Sequence, residues 1–192
     1  RGTVFRRLRF PRYGNPSCAL VEQYLAGAYG AHPDDVNAYA AATFFAVDRY
    51  ASYQEDWKAD YQAGGLLIAD RYTTSNAVHQ TPKLPPEERE HYLDWLYDLE
   101  FDKMGLPRPD LVLYLDMPTE AAAAMRAHRE QITGTHADIH ERDEDYLRQC
   151  RQVGLWTAQR MGWQVVCCAQ GGAVRSAASI HAEILNYVLP LR

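Results

Sequence analysis

Short apolar runs separated by segments of helical length constrain the fold of this chain more than any other feature of its sequence. The runs are LLIA at 66–69, LVLYL at 111–115 and QVVCC at 164–168. Such runs are typical of strands covered on both faces, and strands that alternate with helices pair in parallel through right-handed crossovers. We therefore predict an α/β fold, a three-layer parallel sheet with helices on both faces.

One further strand and several helix signals complete the predicted order of elements. The segment TVFRRLRF at 3–10 is typical of a short strand, and Asn15-Pro16 is expected to start the helix after it, because Asn is favoured at the N-cap and Pro in the first turn. Further helices are predicted over 33–53, 86–104, 118–126 and 176–188, with others ending at Gly64-Gly65 and near Gly162. No repeat or linker interrupts this pattern, so we expect a single domain over residues 1–192.

The composition is that of an ordinary compact protein. Of the 192 residues 47% are hydrophobic and 23% charged, and a domain of this length builds a core without disulfides or a structural metal. The four cysteines include no CxxC pair and are expected to be free thiols. No apolar run approaches the ~20 residues that cross a bilayer, and the start does not resemble a signal peptide. These features predict a cytoplasmic protein.

The charge distribution favours a small anionic ligand over a polymer. A formal net charge of −5 argues against a general binder of nucleic acids or acidic membranes, which usually show a basic excess. Lysine occupies three of the 20 basic positions and arginine the others. Arginine grips phosphate through paired hydrogen bonds, although a compositional bias of the genome explains its abundance equally well.

Polar residues follow the predicted strands at the edge where a parallel sheet binds ligands. Arg12 follows the first strand, Asp70-Arg71 the second and Asp116 the third. A carboxylate that holds magnesium-bound water beside an arginine that neutralises phosphate is suited to phosphoryl transfer. An ion pair that caps a helix would explain Asp70-Arg71 as well.

Three segments carry a resemblance to a known family. They are FAVDR at 45–49, ADRY at 69–72 with Ser75, Asn76 and Gln80 after it, and PDLVLYLD at 109–116. In order and spacing they resemble the thymidylate kinase family, and the likeness extends over essentially the whole chain. The resemblance implies a P-loop NTPase-like fold and an ATP-dependent phosphoryl transfer to dTMP, giving dTDP for DNA precursor synthesis, with Mg²⁺ bridging the donor phosphates.

The same resemblance implies roles for individual residues. Arg12 and Arg71 would bind the dTMP phosphate. Phe45 would stack on thymine and Arg49 would reach a thymine carbonyl, although core packing is the ordinary explanation for Phe45 taken alone. The residues implied to line the base and the sugar are Ser75, Asn76, His79 and Gln80.

The donor side of the reaction would use the second half of the chain. Residues 126–143 correspond to the family's lid, which closes over ATP, and the candidates for reaching the transferred phosphate are Arg126, Arg129 and Arg142. Residues 171–175 would lie beside adenine, with Gly172 and Arg175 as the candidate contacts. A homodimer is also implied by the resemblance.

One departure from the family's pattern concerns the donor phosphates. The motif G-x-x-x-x-G-K-[ST], whose amides and lysine cradle them, does not occur in these residues, and none of the three lysines follows a glycine. There is no initiator methionine. We expect that the native polypeptide extends upstream, that the first strand and the phosphate-binding loop lie there, and that these 192 residues alone do not transfer phosphate.

Other functions remain open at this point. Since a fold does not set its substrate, another nucleotide or deoxynucleoside kinase is one alternative. A nucleotide-binding interaction protein without activity is a second, and it would follow if the native gene also lacks the glycine-rich loop. A zinc site at His136-x-x-x-His140 beside Glu141 has suitable helical spacing but no clear third ligand, and the polar segment is better suited to a mobile lid.

Overall fold

Each half of the chain builds its own pair of parallel strands. The computed structural model describes residues 4–134 and 137–191. The chain separates into two compact units, with the division between Arg108 and Pro109. Parallel pairing in both units agrees with the predicted α/β class, because parallel strands require a long crossover connection that is usually helical.

The first unit alternates strands and helices in the predicted order. Strand β1 (Arg6–Arg9) pairs in parallel with β2 (Leu67–Asp70), and Arg9 lies opposite Asp70. The helices are α1 (Ala19–Leu25), α2 (Ala38–Ser52), α3 (Lys58–Gln62), α4 (Thr73–His79) and α5 (Arg89–Tyr97). Short 3-10 turns occur at Pro16–Cys18, Pro33–Asp35, Thr81–Lys83 and Pro86–Glu88, and π-helical segments at Tyr53–Trp57 and Asp98–Lys103 continue α2 and α5.

Capping explains where α2 begins. The side-chain oxygen of Asn37 accepts the backbone N–H of Ala40 at 2.9 Å, so the helix begins at Ala38 and not at the predicted Pro33, which starts a separate 3-10 turn. At the predicted cap Asn15 the backbone is extended, but the side chain donates to the carbonyl of Arg12 instead of capping the turn that follows.

An aromatic cluster forms the core beneath β1 and β2. Its buried members are Leu8, Phe10, Tyr53, Trp57, Tyr72, Phe101 and Leu106. Leu67 packs against this cluster, whereas the side chain of Ile68 on the other face of the strand is 45% exposed. The prediction that the run at 66–69 is covered on both faces is therefore wrong for the described residues, because the cluster covers one face only.

The second unit contains the other parallel pair and a small hairpin. Strand β3 (Leu113–Asp116) pairs in parallel with β4 (Gln164–Cys167), and β5 (Ala169–Gln170) pairs antiparallel with β6 (Ala173–Val174). The helices are α6 (Thr119–Thr133), α7 (Glu144–Met161) and α8 (Ala177–Val188), followed by a 3-10 turn at Leu189–Leu191. The sequence prediction omits the hairpin, although Gly171 and Gly172 supply the two positive φ angles (58° and 81°) that its tight turn needs.

Helix α6 is longer than predicted. The sequence predicts an end at Arg126, but the helix continues to Thr133 and stops at Gly134, whose φ of 66° lies in the left-handed region. The first part of the predicted lid, 126–143, is therefore helical. Neither α6 nor any other helix in the described ranges is both long and apolar enough to span a membrane.

Hydrogen bonds join the strands of the described residues into two-stranded sheets. The predicted strands at 3–10, 66–69, 111–115 and 164–168 are each confirmed within a few residues. The predicted helices after Pro86, before Gly162 and after Ser176 are confirmed too. A single sheet that contains all four parallel strands is not formed by these bonds and stays a prediction, as does the single domain.

A close contact between α7 and β3 leads to a stability prediction. A Cβ atom at Gly154 would lie 2.5 Å from the hydroxyl oxygen of Tyr114 and 2.8 Å from its Cζ. We expect Gly154→Ala to lower the free energy of unfolding in urea by about 1 kcal/mol, because overpacking outweighs the gain in helix propensity. In a Tyr114→Leu background the same change should be neutral or stabilising. Equal losses in both backgrounds would contradict this explanation.

Candidate functional site

The register of β1 and β2 brings two loops to the same edge of the first unit. The backbone N–H of Phe10 donates to the carbonyl of Asp70 at 3.0 Å, so both strands end at the same level. Arg12 and Arg71 lie in the segments that leave this edge. The carboxyl ends of parallel strands are where ligands bind in such sheets, and the two arginines predicted to bind phosphate therefore start from neighbouring positions.

A buried carboxylate holds Arg12. Asp48 of α2 is 1% exposed and accepts hydrogen bonds from the backbone N–H of Arg12 at 2.9 Å, from its Nε at 3.2 Å and from the hydroxyl of Ser17 at 2.8 Å. The terminal nitrogens of Arg12 donate to Glu55 and Ser17.

The Cys18 thiol near this carboxylate stays protonated at neutral pH. Burial, with a smaller contribution from Asp48, raises the pKa of Cys18 to about 12.

Arg71 has a backbone conformation that is rare for a residue with a side chain. Its φ of 66° lies in the left-handed region, and holding a non-glycine residue there costs about 1 kcal/mol or more. Arg71 is exposed, and its Nη1 lies 3.2 Å from Nε2 of His79. Because a guanidinium only donates, His79 Nε2 would be the acceptor in a hydrogen bond between them. Strain of this kind is typical of functional sites, while the role at phosphate stays a prediction.

Arg49 and Glu100 form a buried ion pair. Their side chains are 2% and 0% exposed, and Arg49 donates from Nε at 2.7 Å and from Nη2 at 2.5 Å. The hydroxyl of Thr73 donates to the same carboxylate at 2.7 Å, and Nδ2 of Asn76 donates at 3.3 Å. Glu100 thereby joins α2, α4 and the π-helical segment after α5.

Asn76 and Arg49 are both 2% exposed, and each donates to Glu100 with only part of its polar group. The second N–H of the Asn76 amide donates to the carbonyl of Ala42 at 3.0 Å, so Oδ1 is the group that this side chain can offer to a ligand. Nη1 of Arg49 takes no part in the pair with Glu100. The predicted roles of both residues at a base remain predictions, restricted to an acceptor from Asn76 and a donor from Arg49.

The other predicted substrate residues also lie in the first unit. Phe45 is half-buried and its ring meets the ring of Tyr24 edge-on, with centroids 6.2 Å apart. Ser75 and His79 are half-buried on α4. Gln80 is fully buried, and neither its side-chain nitrogen nor its oxygen has a hydrogen-bond partner among the described residues.

The carboxylate of Asp70 stands at the end of β2, and its ion pairs within residues 4–134 and 137–191 are long. The guanidinium groups of Arg7 and Arg9 lie 3.6 and 3.8 Å from its Oδ2, and all three side chains are about half exposed or more. Surface pairs at such distances contribute little to stability. Asp70 therefore keeps an accessible carboxylate at the ligand edge.

Two of the predicted lid arginines hold groups within the lid itself. Arg129 donates to both oxygens of Glu141 at 2.9 and 2.8 Å, and Nε of Arg142 donates to the carbonyl of Asp138 at 3.3 Å. Arg126 is half-buried on α6. Which of the three reaches a phosphate stays a prediction.

The residues predicted beside adenine have different environments. Gly172 is exposed in the β5–β6 turn. Arg175 uses its guanidinium to tie β4 to α8, with bonds of 2.6 Å to the carbonyl of Cys167 and to Glu183, and a bond of 2.9 Å to the hydroxyl of Ser179. These contacts are structural, and neither residue has a tested role at a nucleotide.

The predicted zinc spacing falls partly outside the described residues. His136 lies in the gap, and His140 packs against Tyr146 with ring centroids 5.1 Å apart. Within 4–134 and 137–191, no group of three or more His, Cys, Asp or Glu side chains is arranged to hold a metal ion.

The sequence did not identify Glu100 and Asp48, the two carboxylates that hold the arginines of this site. Glu100 continues the four-residue spacing of Tyr92 and Leu96, whose side chains are fully buried, so a charged residue on an apolar helix face was the available signal. Asp48 stands beside Arg49 in a motif that draws attention to the arginine. In both cases the partner is more than 30 residues away along the chain, as with Arg12 and Asp48.

The buried pair leads to a prediction about Arg49. Arg49→Ala should lower the free energy of unfolding by about 3–5 kcal/mol, because it leaves the Glu100 charge buried without its counter-ion. Urea unfolding of this variant beside Lys103→Ala, which removes an exposed pair with Asp98, would measure the difference. The exposed control should change by about 1 kcal/mol or less. A loss of similar size in both variants would contradict the prediction.

Comparisons with known proteins agree with the resemblance seen in the sequence. A family model described as "Thymidylate kinase" matches residues 6–174. A thymidylate kinase of Mycobacterium tuberculosis is 32% identical over 84% of this chain and 75% of its own length. Thymidylate kinases of Limosilactobacillus fermentum and Caenorhabditis elegans are each 28% identical, over 80% and 77% of this chain and 67% and 60% of theirs. The chain therefore belongs to the thymidylate kinase family.

Proposed function

We propose that this protein transfers the γ-phosphoryl group of ATP to dTMP, giving dTDP and ADP, in the supply of DNA precursors. The observation that carries the proposal is the convergence of phosphate-binding and base-reading candidates in one unit. Arg12 and Arg71 leave the same edge of the β1–β2 pair, and Arg49 and Asn76 meet at Glu100. Membership of the thymidylate kinase family supports the reaction and its acceptor.

The phosphate of dTMP would bind between the loop after β1, which carries Arg12, and the loop after β2, which carries Arg71. Arg12 is held in place by Asp48, so it can meet an anion with little further loss of side-chain entropy. Arg71 adds an exposed guanidinium on a strained backbone. Two guanidinium groups suit a dianionic phosphate, because each can form paired, charge-assisted hydrogen bonds.

The chemical step then needs positioning and charge neutralisation. An oxygen of the dTMP phosphate attacks the γ-phosphorus of ATP, and the bond between that phosphorus and the β–γ bridging oxygen breaks, so ADP leaves with the electron pair. No general base is required, since the attacking oxygen is already an anion. In this proposal Arg126, Arg129 or Arg142 neutralises the transferred group from the lid at 126–143.

Magnesium would bridge the donor phosphates and neutralise part of their charge. Asp70 is the candidate residue for its hydration shell, because its carboxylate is accessible and its ion pairs to Arg7 and Arg9 are long. Gly172 and Arg175 are the candidates beside adenine. The motif G-x-x-x-x-G-K-[ST] is not among the 192 residues, so their support is strongest for the acceptor half of the reaction.

The family also supports proposals about the sheet, the oligomeric state and the location of the protein. We propose that the four parallel strands belong to one three-layer, P-loop NTPase-like sheet in a single domain that contains the lid. We also propose a homodimer that acts in the cytoplasm on free nucleotides. Support comes from the parallel order of both strand pairs and from the net charge of −5, which disfavours nucleic acid as a partner.

Calorimetric titration with dTMP, dCMP and thymidine, followed by a coupled assay of ADP release, tests the proposal on protein expressed from the complete coding sequence. We expect the tightest binding for dTMP and turnover with ATP and Mg²⁺. Equal affinity for dTMP and dCMP would favour a kinase of different base choice. Binding of dTMP without turnover would favour a binding protein.

Arg71 yields a prediction about the phosphate. Arg71→Ala should weaken dTMP binding on the order of 10- to 100-fold, since a hydrogen bond to a charged group contributes about 1.5–3 kcal/mol. Thymidine, which lacks the phosphate, is the matched control ligand and should bind equally to both proteins. Arg71→Lys should recover only part of the affinity, because lysine cannot form the paired contact. An equal loss for dTMP and thymidine would remove Arg71 from the phosphate role.

The backbone of Arg71 yields a separate prediction about stability. Arg71→Gly should unfold with a free energy about 1 kcal/mol higher than Arg71→Ala, because glycine adopts a φ of 66° without steric conflict. Both variants lack the guanidinium, so their comparison isolates the backbone. Urea unfolding measures it, and an Arg71→Ala protein that is as stable as Arg71→Gly would show that the residue is not strained.

A further inference from the structure

We infer that Glu100 is a positioning residue that sets the base selectivity of this site, by fixing which hydrogen-bonding groups Arg49 and Asn76 present to the nucleotide. The inference rests on the proposed function and deepens it. Glu100 is fully buried, and within the described residues its bonding partners are Arg49, Thr73 and Asn76.

The orientation of the Asn76 amide follows from its surroundings. One neighbour of its Nδ2 is the carbonyl oxygen of Ala42 at 3.0 Å, and the other is Oε1 of Glu100 at 3.3 Å. A carbonyl and a carboxylate only accept hydrogen bonds, so both must face the N–H groups of the amide. Oδ1, an acceptor, is therefore the group left for a ligand.

The orientation of Arg49 follows from the same carboxylate. Glu100 takes Nε and Nη2 of the guanidinium in a paired contact, which fixes the plane of the group and leaves the donor Nη1 outside the pair. The two side chains on which the base is proposed to lie thus offer one donor and one acceptor. Glu100 determines that Arg49 offers a donor and Asn76 an acceptor, because it binds the other polar atoms of both side chains.

This donor and acceptor match thymine and oppose cytosine. Thymine carries a carbonyl oxygen at C4 and an N–H at N3, which pair with a donor and an acceptor respectively. Cytosine carries an amino group at C4 and a bare nitrogen at N3, so each position would meet a group of its own kind. Buried polar groups left unmatched in this way allow a site to reject an analogue strongly.

Replacing Glu100 by its amide tests this directly. In Glu100→Gln a donor N–H₂ takes the place of one carboxylate oxygen, so it faces Arg49 or Asn76 with a donor and the fixed orientation is lost. We expect the ratio of dTMP to dCMP affinity, measured by calorimetry, to fall at least 10-fold. The affinity for inorganic phosphate, which does not touch the base site, should stay within about 2-fold.

Thr73→Val is the matched control. It removes one donor from the same carboxylate at nearly constant volume and leaves the groups that bond Arg49 and Asn76 to Glu100 in place. Both variants should unfold at lower urea concentration, but only Glu100→Gln should lose selectivity. A folded Glu100→Gln protein with an unchanged dTMP/dCMP ratio, or a Thr73→Val protein with the same loss, would overturn the inference.

Two further measurements keep the test decisive. If Glu100→Gln does not fold, Glu100→Asp is measured in the same way, because it keeps the charge but withdraws the carboxylate by one methylene. The ratio of dTMP to dCMP affinity should fall in this variant too. An unchanged ratio overturns the inference. Wild-type protein should also bind N3-methyl-dTMP at least 10-fold more weakly than dTMP, since the methyl group removes the donor to Oδ1 of Asn76. Wild-type protein that binds neither dTMP nor dCMP would overturn the proposed function itself, whereas preference for dTMP in every variant would overturn only the role of Glu100.

Discussion

The ion pair between Arg49 and Glu100 is the interaction on which the organisation of the first unit depends. Two opposite charges lie at 2% and 0% exposure, where an unpaired charge would be strongly unfavourable. The pair is tolerated because the carboxylate accepts Nε and Nη2 of the guanidinium and two further donors, from Thr73 and Asn76. Such a pair adds little net stability compared with well-packed apolar residues, so its value lies in fixing the geometry of the groups around it.

Helix α2 carries two neighbouring buried residues, of which one accepts hydrogen bonds and the other donates them. Asp48 is a buried acceptor that holds Arg12 in the loop after β1, and Arg49 is a buried donor that holds Glu100 beyond α5. Consecutive residues of a helix point about 100° apart, so one short stretch of α2 can hold a residue proposed to bind phosphate and a residue proposed to read the base. Arg71 supplies a third element, an exposed arginine held in a left-handed backbone at the end of β2.

Local signals in the sequence were sufficient to predict where most helices and strands lie. They were not sufficient to predict every helix end or which segments cover each strand. Strand positions, the end of α7 at Gly162 and the start of α8 at Ser176 follow from apolar runs and capping residues within a few positions. The start of α2 and the length of α6 differ, because capping by Asn37 and a left-handed Gly134 compete with equally plausible signals nearby. The exposure of Ile68 depends on what covers the second face of the strand, which no local pattern contains.

The sequence by itself determined the α/β order of elements, the family, and the arginines and polar residues that a nucleotide site would use, because these depend on residue type and short-range spacing. Only the tertiary structure decided what those residues can offer. Arg12, Arg49 and Asn76 are each committed to acceptors that lie far away along the chain, at Asp48, Glu100 and the carbonyl of Ala42. Hydrogen bonds to buried charges are directional, so the partner fixes which donor or acceptor remains for a ligand, and that choice exists only once distant segments have packed together.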